Sequence, residues 1–173
     1  MEMIDRQQAV DEVRLMASQF ASLYFDFVSA LYHTYGREEA LKLTQKILFN
    51  RARQRAEKMI PRAEKLGLAR VPENITKTSD VAYLGWDSSL GRDHCPYGAM
   101  WNEEIEENPW FREFACLYCD VTDTTIAEVF TGAYSHKLTH NVVLGHDACL
   151  REYFEDEQVK NGRYTYEPKE PDR

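Results

Sequence analysis

A chain of 173 residues, 43% hydrophobic and 12% aromatic, carries enough apolar side chain for one sizeable core. Its net charge of −8, from 21 basic and 29 acidic residues, excludes a general affinity for nucleic acid or for anionic membranes. Residues 1–14 carry charges throughout and residues 20–32 are a short apolar run containing Asp26, so neither an export signal nor a membrane span is expected. The four cysteines then read as reduced thiols of a cytoplasmic protein.

Residues 5–35 predict helix, with Val10, Val13, Leu15, Met16, Phe20, Leu23, Tyr24, Phe27, Val28 and Leu31 forming a broad apolar stripe and Gly36 as its stop. Residues 37–60 predict a second helix anchored by Leu41, Leu43, Ile47, Leu48 and Met59, which Pro61 ends or kinks. Between Arg37 and Arg70, ten basic residues stand against four acidic ones, a pattern read first as a solvated helix face and second as a funnel for an anionic substrate. Residues 62–80 hold Gly67, Pro72 and Asn74 and predict a connection with one further helical turn.

The character changes after residue 78. Residues 79–88 have the β-branched and aromatic flavour of a strand, and residues 89–97 form a loop because of Gly91 and Pro96. Residues 98–107 form a short helix or turn. Residues 137–144 and 148–154 read as a strand pair across the turn Gly145-His146-Asp147. The polar segment 155–173, with Pro168 and Pro171, is expected to be poorly ordered. The fold class is therefore α+β: N-terminal helices, then a small antiparallel sheet of three or four strands with a central helix packed on it. The expected organisation is one domain over 1–154, helical in 1–65 and motif-bearing in 80–154, followed by the tail.

That central helix is 108–130. Asn108 reads as its cap and Pro109 as its first residue. Trp110, Phe111, Phe114, Leu117, Val121, Ile126 and Val129 recur near helical period, and the Trp110, Phe114, Leu117 and Val121 side is expected against the sheet. Cys116, Cys119, Asp120 and Asp123 share another side at i, i+3, i+4 and i+7. Thiols often act as small buried hydrophobes and either acid can simply face water, so the helix alone favours structure over chemistry. Outside it, His94 and Cys95 stand in a loop, His146 in a turn and Cys149 at the start of a strand. His136 and His140 read as solvent-facing. No standard zinc spacing, phosphate loop, nucleophile elbow or dinucleotide fingerprint is present.

Three short motifs, HCPY at 94–97, CDVTD at 119–123 and GHDAC at 145–149, resemble the L-2-amino-thiazoline-4-carboxylic acid hydrolase family over residues 80–154. The closing strand is also similar to the 4-vinyl-reductase-type ligand-binding domain. By position, the hydrolase resemblance implies roles for Cys95, for Cys119 and Asp123 one helical turn apart, and for Cys149. The implied reaction adds water to a C=N carbon of a small ring and opens a C–N bond. Two mechanisms remain open. In one, Cys119 or Cys95 attacks, Asp123 moves a proton or orients a water, His94 supports the thiolate, and Trp101 and His146 line the substrate. In the other, Cys95, Cys119 and Cys149 hold a metal such as zinc, with His94 or His146 as a fourth ligand. Cys95, Cys119 and Cys149 should then converge while Cys116 serves packing. The rival function is a non-catalytic sensor of small ligands with a cysteine-bound structural metal; a third is a structural protein whose thiols are core. The expected partner is a small-molecule substrate, with no nucleic acid and no membrane, and a homo-oligomer is compatible with these features.

Overall fold

Asp5 opens the structure by capping a helix: its carboxylate accepts the backbone N–H of Gln7 and Gln8. The computed structural model describes residues 5–168, and 71% of those residues are helical. In chain order the elements are α1 (Arg6–Tyr35), α2 (Arg37–Lys65), α3 (Ile75–Thr78), α4 (Pro96–Glu107), α5 (Phe111–Thr131), β1 (Tyr134–His140), β2 (Leu150–Glu155) and α6 (Glu157–Lys160). The strands β1 and β2 pair into a two-stranded antiparallel sheet, so the fold is α+β as expected. Gly36 ends α1 at φ 78°, a conformation that costs a residue without Cβ little, and its N–H returns to the Tyr32 carbonyl. No helix among the described residues is long and apolar enough to cross a membrane.

The chain divides into two compact units. The first comprises Met1–Ala40, Val81–Cys116 and His140–Leu150. Here α1 packs on α4, and Ala17 and Ala21 on α1 are small enough to let the buried Trp101 of α4 approach its backbone. The Trp101 indole N–H donates to the Ala21 carbonyl at 3.0 Å, and Tyr24 Oη donates to the Phe114 carbonyl at 2.8 Å. Trp110 stacks on Tyr32 with ring centres 4.2 Å apart, and Phe111 meets Phe25 edge-on at 4.9 Å. The aromatic start of α5 therefore packs on α1, not on the sheet.

Two local assignments also change within this unit. Residues 79–88 form no strand: Tyr83–Gly85 is a 3₁₀ turn pressed on α1, where a Cβ at Gly85 would meet Val13 Cγ1 at 2.9 Å. Arg14 takes the Gly85 and Asp93 carbonyls, which removes the open edge a strand would need. Asn108 closes α4 instead of capping α5; its N–H bonds the Glu104 carbonyl and its own carbonyl receives the Phe111 N–H. The real Pro-at-N1 helix start is Cys95-Pro96.

The second unit comprises Leu41–Asp80, Leu117–Thr139 and Arg151–Arg173. Ala52, Ala56, Met59 and Ala63 recur along one side of α2 and pack with Ile126, Ala127, Val129 and Phe130 of α5, joined by Ile75, Leu68 and Tyr164. Pro61 does not end α2, which runs on to Lys65 because the packed side of the helix outweighs one missing N–H. Part of the basic surplus is structural. Arg55 pairs with Asp80, Arg53 with Glu57, Arg62 takes the Thr78 and Ser79 carbonyls, and Arg70 takes those of Val129 and Phe130 at the end of α5. The segment after residue 155 is ordered as far as it is described: Asp156 caps α6, Val159 is buried and Tyr164 joins the core. Pro171 lies outside the described residues.

Candidate active site

In the second unit, the side of α5 that meets β1 is polar. Asp120, Asp123, Thr124 and Glu128 stand at i, i+3, i+4 and i+8, close enough in angle to share that side. Asp123, Thr124 and Glu128 each meet a neighbour from another segment. Thr124 Oγ1 lies 3.2 Å from His136 Nδ1 and 3.4 Å from the His136 carbonyl oxygen. Both contacts are satisfied at once when the hydroxyl donates to the carbonyl and its oxygen accepts Nδ1–H. The lone pair of that tautomer is on Nε2, which is buried and has no hydrogen-bond partner. Burial, above all, lowers the pKa of His136; the Asp123 carboxylate works against this and the Arg151 guanidinium with it. The imidazole is thus biased toward its neutral form, with a buried, unpartnered Nε2.

Asp120 is shifted the opposite way. Burial is the main cause that pushes its pKa up, and the charge of Asp123 adds to it. Asp123 itself is held by Arg151 of β2, whose Nε and Nη2 donate to the same Oδ2 at 3.0 and 2.9 Å. This pair is partly open to solvent, so it orients more than it stabilises. Glu128 is fully buried and accepts from Ser135 Oγ at 2.6 Å and from Thr165 N at 2.9 Å and Oγ1 at 2.5 Å. Tyr166, one residue on, is half-buried, and burial and then the charges of Asp120 and Glu128 push its pKa up. The side chains from 120 to 166 therefore form one electrostatically connected set: a carboxyl group biased toward its acid form, a neutral imidazole, and an ion pair beside both.

The residues singled out from the sequence fall in both units. Asp123 belongs to this set, and Cys119 stands one turn before it on α5, half-buried. Cys95, Cys149, His94, His146 and Trp101 belong to the first unit. Cys95 caps α4, its sulfur receiving the Gly98 N–H at 3.5 Å, and burial raises its pKa against that hydrogen bond. A buried thiol so disposed is a poor resting nucleophile. His94 donates Nδ1–H to the Gly91 carbonyl at 2.9 Å, and His146 Nδ1 accepts the Asn141 N–H at 3.0 Å, its ring 4.8 Å from that of His140. Among the described residues no three His, Cys, Asp or Glu side chains are grouped to hold a metal ion, so the Cys95, Cys119 and Cys149 ligand set has no counterpart there.

No protein-family model, curated protein or solved structure matches this chain.

Trp101 lines no open site. It is wholly buried with its N–H satisfied, so Trp101→Ala is expected to lower unfolding free energy by about 3–5 kcal/mol. Urea denaturation checks this; an unchanged midpoint would mean the ring is peripheral after all. The sequence reading noted Asp120 without giving it a role, passed over Glu128, and had His136 facing solvent where the structure buries it. Continuing the helical spacing from Asp123 reaches Asp120, Thr124 and Glu128, a signal present in the sequence. For His136 there was none, because alternation along β1 does not say which face is covered: Ser135 and His136, adjacent in sequence, are both buried.

Proposed function

We propose that this protein is a cytoplasmic hydrolase that opens a C–N bond in a small cyclic amidine or thiazoline, with Asp120 as general acid and His136 as general base. The observation that carries the reading is the opposed pair of shifts in the second unit: Asp120 is pushed toward its protonated form while His136 is kept neutral with an unpartnered Nε2. Hydrolysis of a C=N carbon needs both states together. Nε2 removes a proton from the attacking water, and the Asp120 carboxyl delivers one to the ring nitrogen as it leaves. Asp123, fixed by Arg151, supplies the negative charge that supports the imidazolium formed in between. Cys119 is the thiol adjacent to this set and the alternative nucleophile; Cys95 is set aside by its buried, protonated state.

The test incubates the purified chain with a panel of cyclic amidines, thiazolines and lactams and measures the amine released on ring opening. Release by the wild type that is lost in both Asp120→Asn and His136→Gln, each folded by circular dichroism, supports the assignment. Turnover retained in both variants would move the chemistry elsewhere, and turnover lost in Cys119→Ser alone would make the thiol the nucleophile.

A further inference from the structure

The helix α1 is apolar on two sides, and the fold covers one of them. Val10, Ala17, Ala21 and Val28 are buried on the inner side. On the outer side Val13, Met16, Phe20, Leu23, Phe27 and Ala30 follow one another at spacings of 3, 4, 3, 4 and 3 residues. That alternation is the period of a seam that packs against a second helix. Val13 and Phe20 are half-buried at its border, Val13 against the Tyr83–Gly85 turn and Phe20 with its ring 5.3 Å from that of Tyr97. Met16, Leu23 and Phe27 are 67%, 52% and 64% exposed. Together these three leave roughly 350 Å² of apolar surface open, the size of the largest patch on a monomer, which is often a binding site.

We propose that this side of α1 binds a second copy of the chain, the two helices lying antiparallel across a two-fold axis between Ala21 and Ser22. In that arrangement the seam is complementary to itself. Phe20 meets the partner's Leu23, Met16 meets the partner's Phe27, and Val13 meets the partner's Ala30. Large side chains fill the middle of the contact and smaller ones close its ends. The flank matches as well. Glu12, Gln19, Asp26 and His33 recur every seven residues beside the seam and are all exposed. Glu12 falls beside the partner's His33, and Asp26 beside the partner's Gln19, so each carboxylate faces a side chain that can donate a hydrogen bond. A parallel pair would set Glu12 and Asp26 level with their own copies and run the two helix dipoles the same way. The open apolar area is about half of the ~800 Å² per partner of a standard interface, so the dimer is reversible, with a dissociation constant on the order of 1–100 μM.

The test is sedimentation equilibrium of the full-length chain over a range of concentrations, with all cysteines reduced. A monomer–dimer equilibrium is expected, and Leu23→Glu should weaken it about 10-fold or more. Leu23 is more than half exposed, so the variant should keep its helix content and melting temperature. Orientation is read by mixing Met16→Cys chains with Phe27→Cys chains, oxidising mildly and mapping the peptides by mass. The antiparallel pair brings these two positions within disulfide reach and gives a bond joining one variant to the other. A chain that stays monomeric up to about 1 mM, or that binds phosphatidylcholine vesicles as a monomer, overturns the proposal. A dimer that Leu23→Glu leaves intact uses another surface and overturns it too, as does a Met16→Cys chain that crosslinks only to itself. The mixed crosslink decides the question even if Leu23→Glu fails to fold.

Discussion

Asp120→Asn and His136→Gln should each reduce ring-opening turnover by about 100- to 10,000-fold, the range that one positioned proton donor or acceptor contributes. Asparagine fills the same space as Asp120 but has no acidic proton to give, so the loss appears in kcat more than in KM. The pH profile carries more information than the size of the loss. Burial raises Asp120 from its usual 3.8, and burial lowers His136 from its usual 6.5, so the two values move toward each other. The active form needs Asp120 protonated and His136 unprotonated. Its rate therefore falls as pH rises through the raised Asp120 value and falls again as pH drops through the lowered His136 value. A bell is expected, with its acid limb set by His136 and its alkaline limb by Asp120. An optimum above pH 8 would instead fit a thiolate mechanism through Cys119.

The same shifts act on stability with opposite signs. His136 is disfavoured as a cation in the folded chain, so its contribution is complete above 6.5 and is lost as pH falls through its lowered folded value. Asp120 is disfavoured as an anion, so its contribution is complete below 3.8 and is lost as pH rises through its raised folded value. His136→Gln should accordingly remove part of the acid-side loss of melting temperature below pH 6.5, measured by thermal scans at falling pH.

Glu128→Ala is expected to destabilise the chain by about 3 kcal/mol. Removing this wholly buried side chain leaves a cavity in α5 and takes the acceptor from the buried Ser135 hydroxyl, a loss of about 1–3 kcal/mol before the cavity is counted. Thr165 loses both of its bonds to α5 as well, but it is exposed and water can replace the partner. The consequence there is mobility, because these bonds hold the segment beyond α6 to the helix. Hydrogen exchange at residues 163–167 should quicken in Glu128→Ala well before global unfolding. Glu128→Gln keeps the volume and one acceptor oxygen, so it should lie between the two. Equal urea midpoints for all three proteins would show that the carboxylate contributes nothing to the fold.

The amino-acid sequence by itself determined the three long helices. Apolar residues at helical spacing and Gly36 place α1 and the start of α2 correctly, and the same spacing finds α5 and, through Asp123, one member of the acid–base set. Those signals are legible because helical period, capping and glycine stops act between residues a few positions apart. The strand pair was legible only in part: two strands pair as expected, but the first runs Tyr134–His140, and residues 142–144, read as its end, form a 3₁₀ turn in the longer connection.

What only the tertiary structure decided is which side of each element is covered. The aromatic start of α5 has the spacing of a sheet-facing stripe, yet its ring partners Tyr24, Phe25 and Tyr32 come from α1. Trp101 looks like a substrate platform in sequence, but two alanines on α1 make a slot that buries it. His136 has no local mark that distinguishes it from His140. Burial against α5 and the approach of Thr124 make one a neutral base, while its neighbour two positions along the same face stays exposed. Desolvation is a property of the surroundings and not of the residue, so the groups whose proton affinity is shifted most are the ones a linear reading sees least.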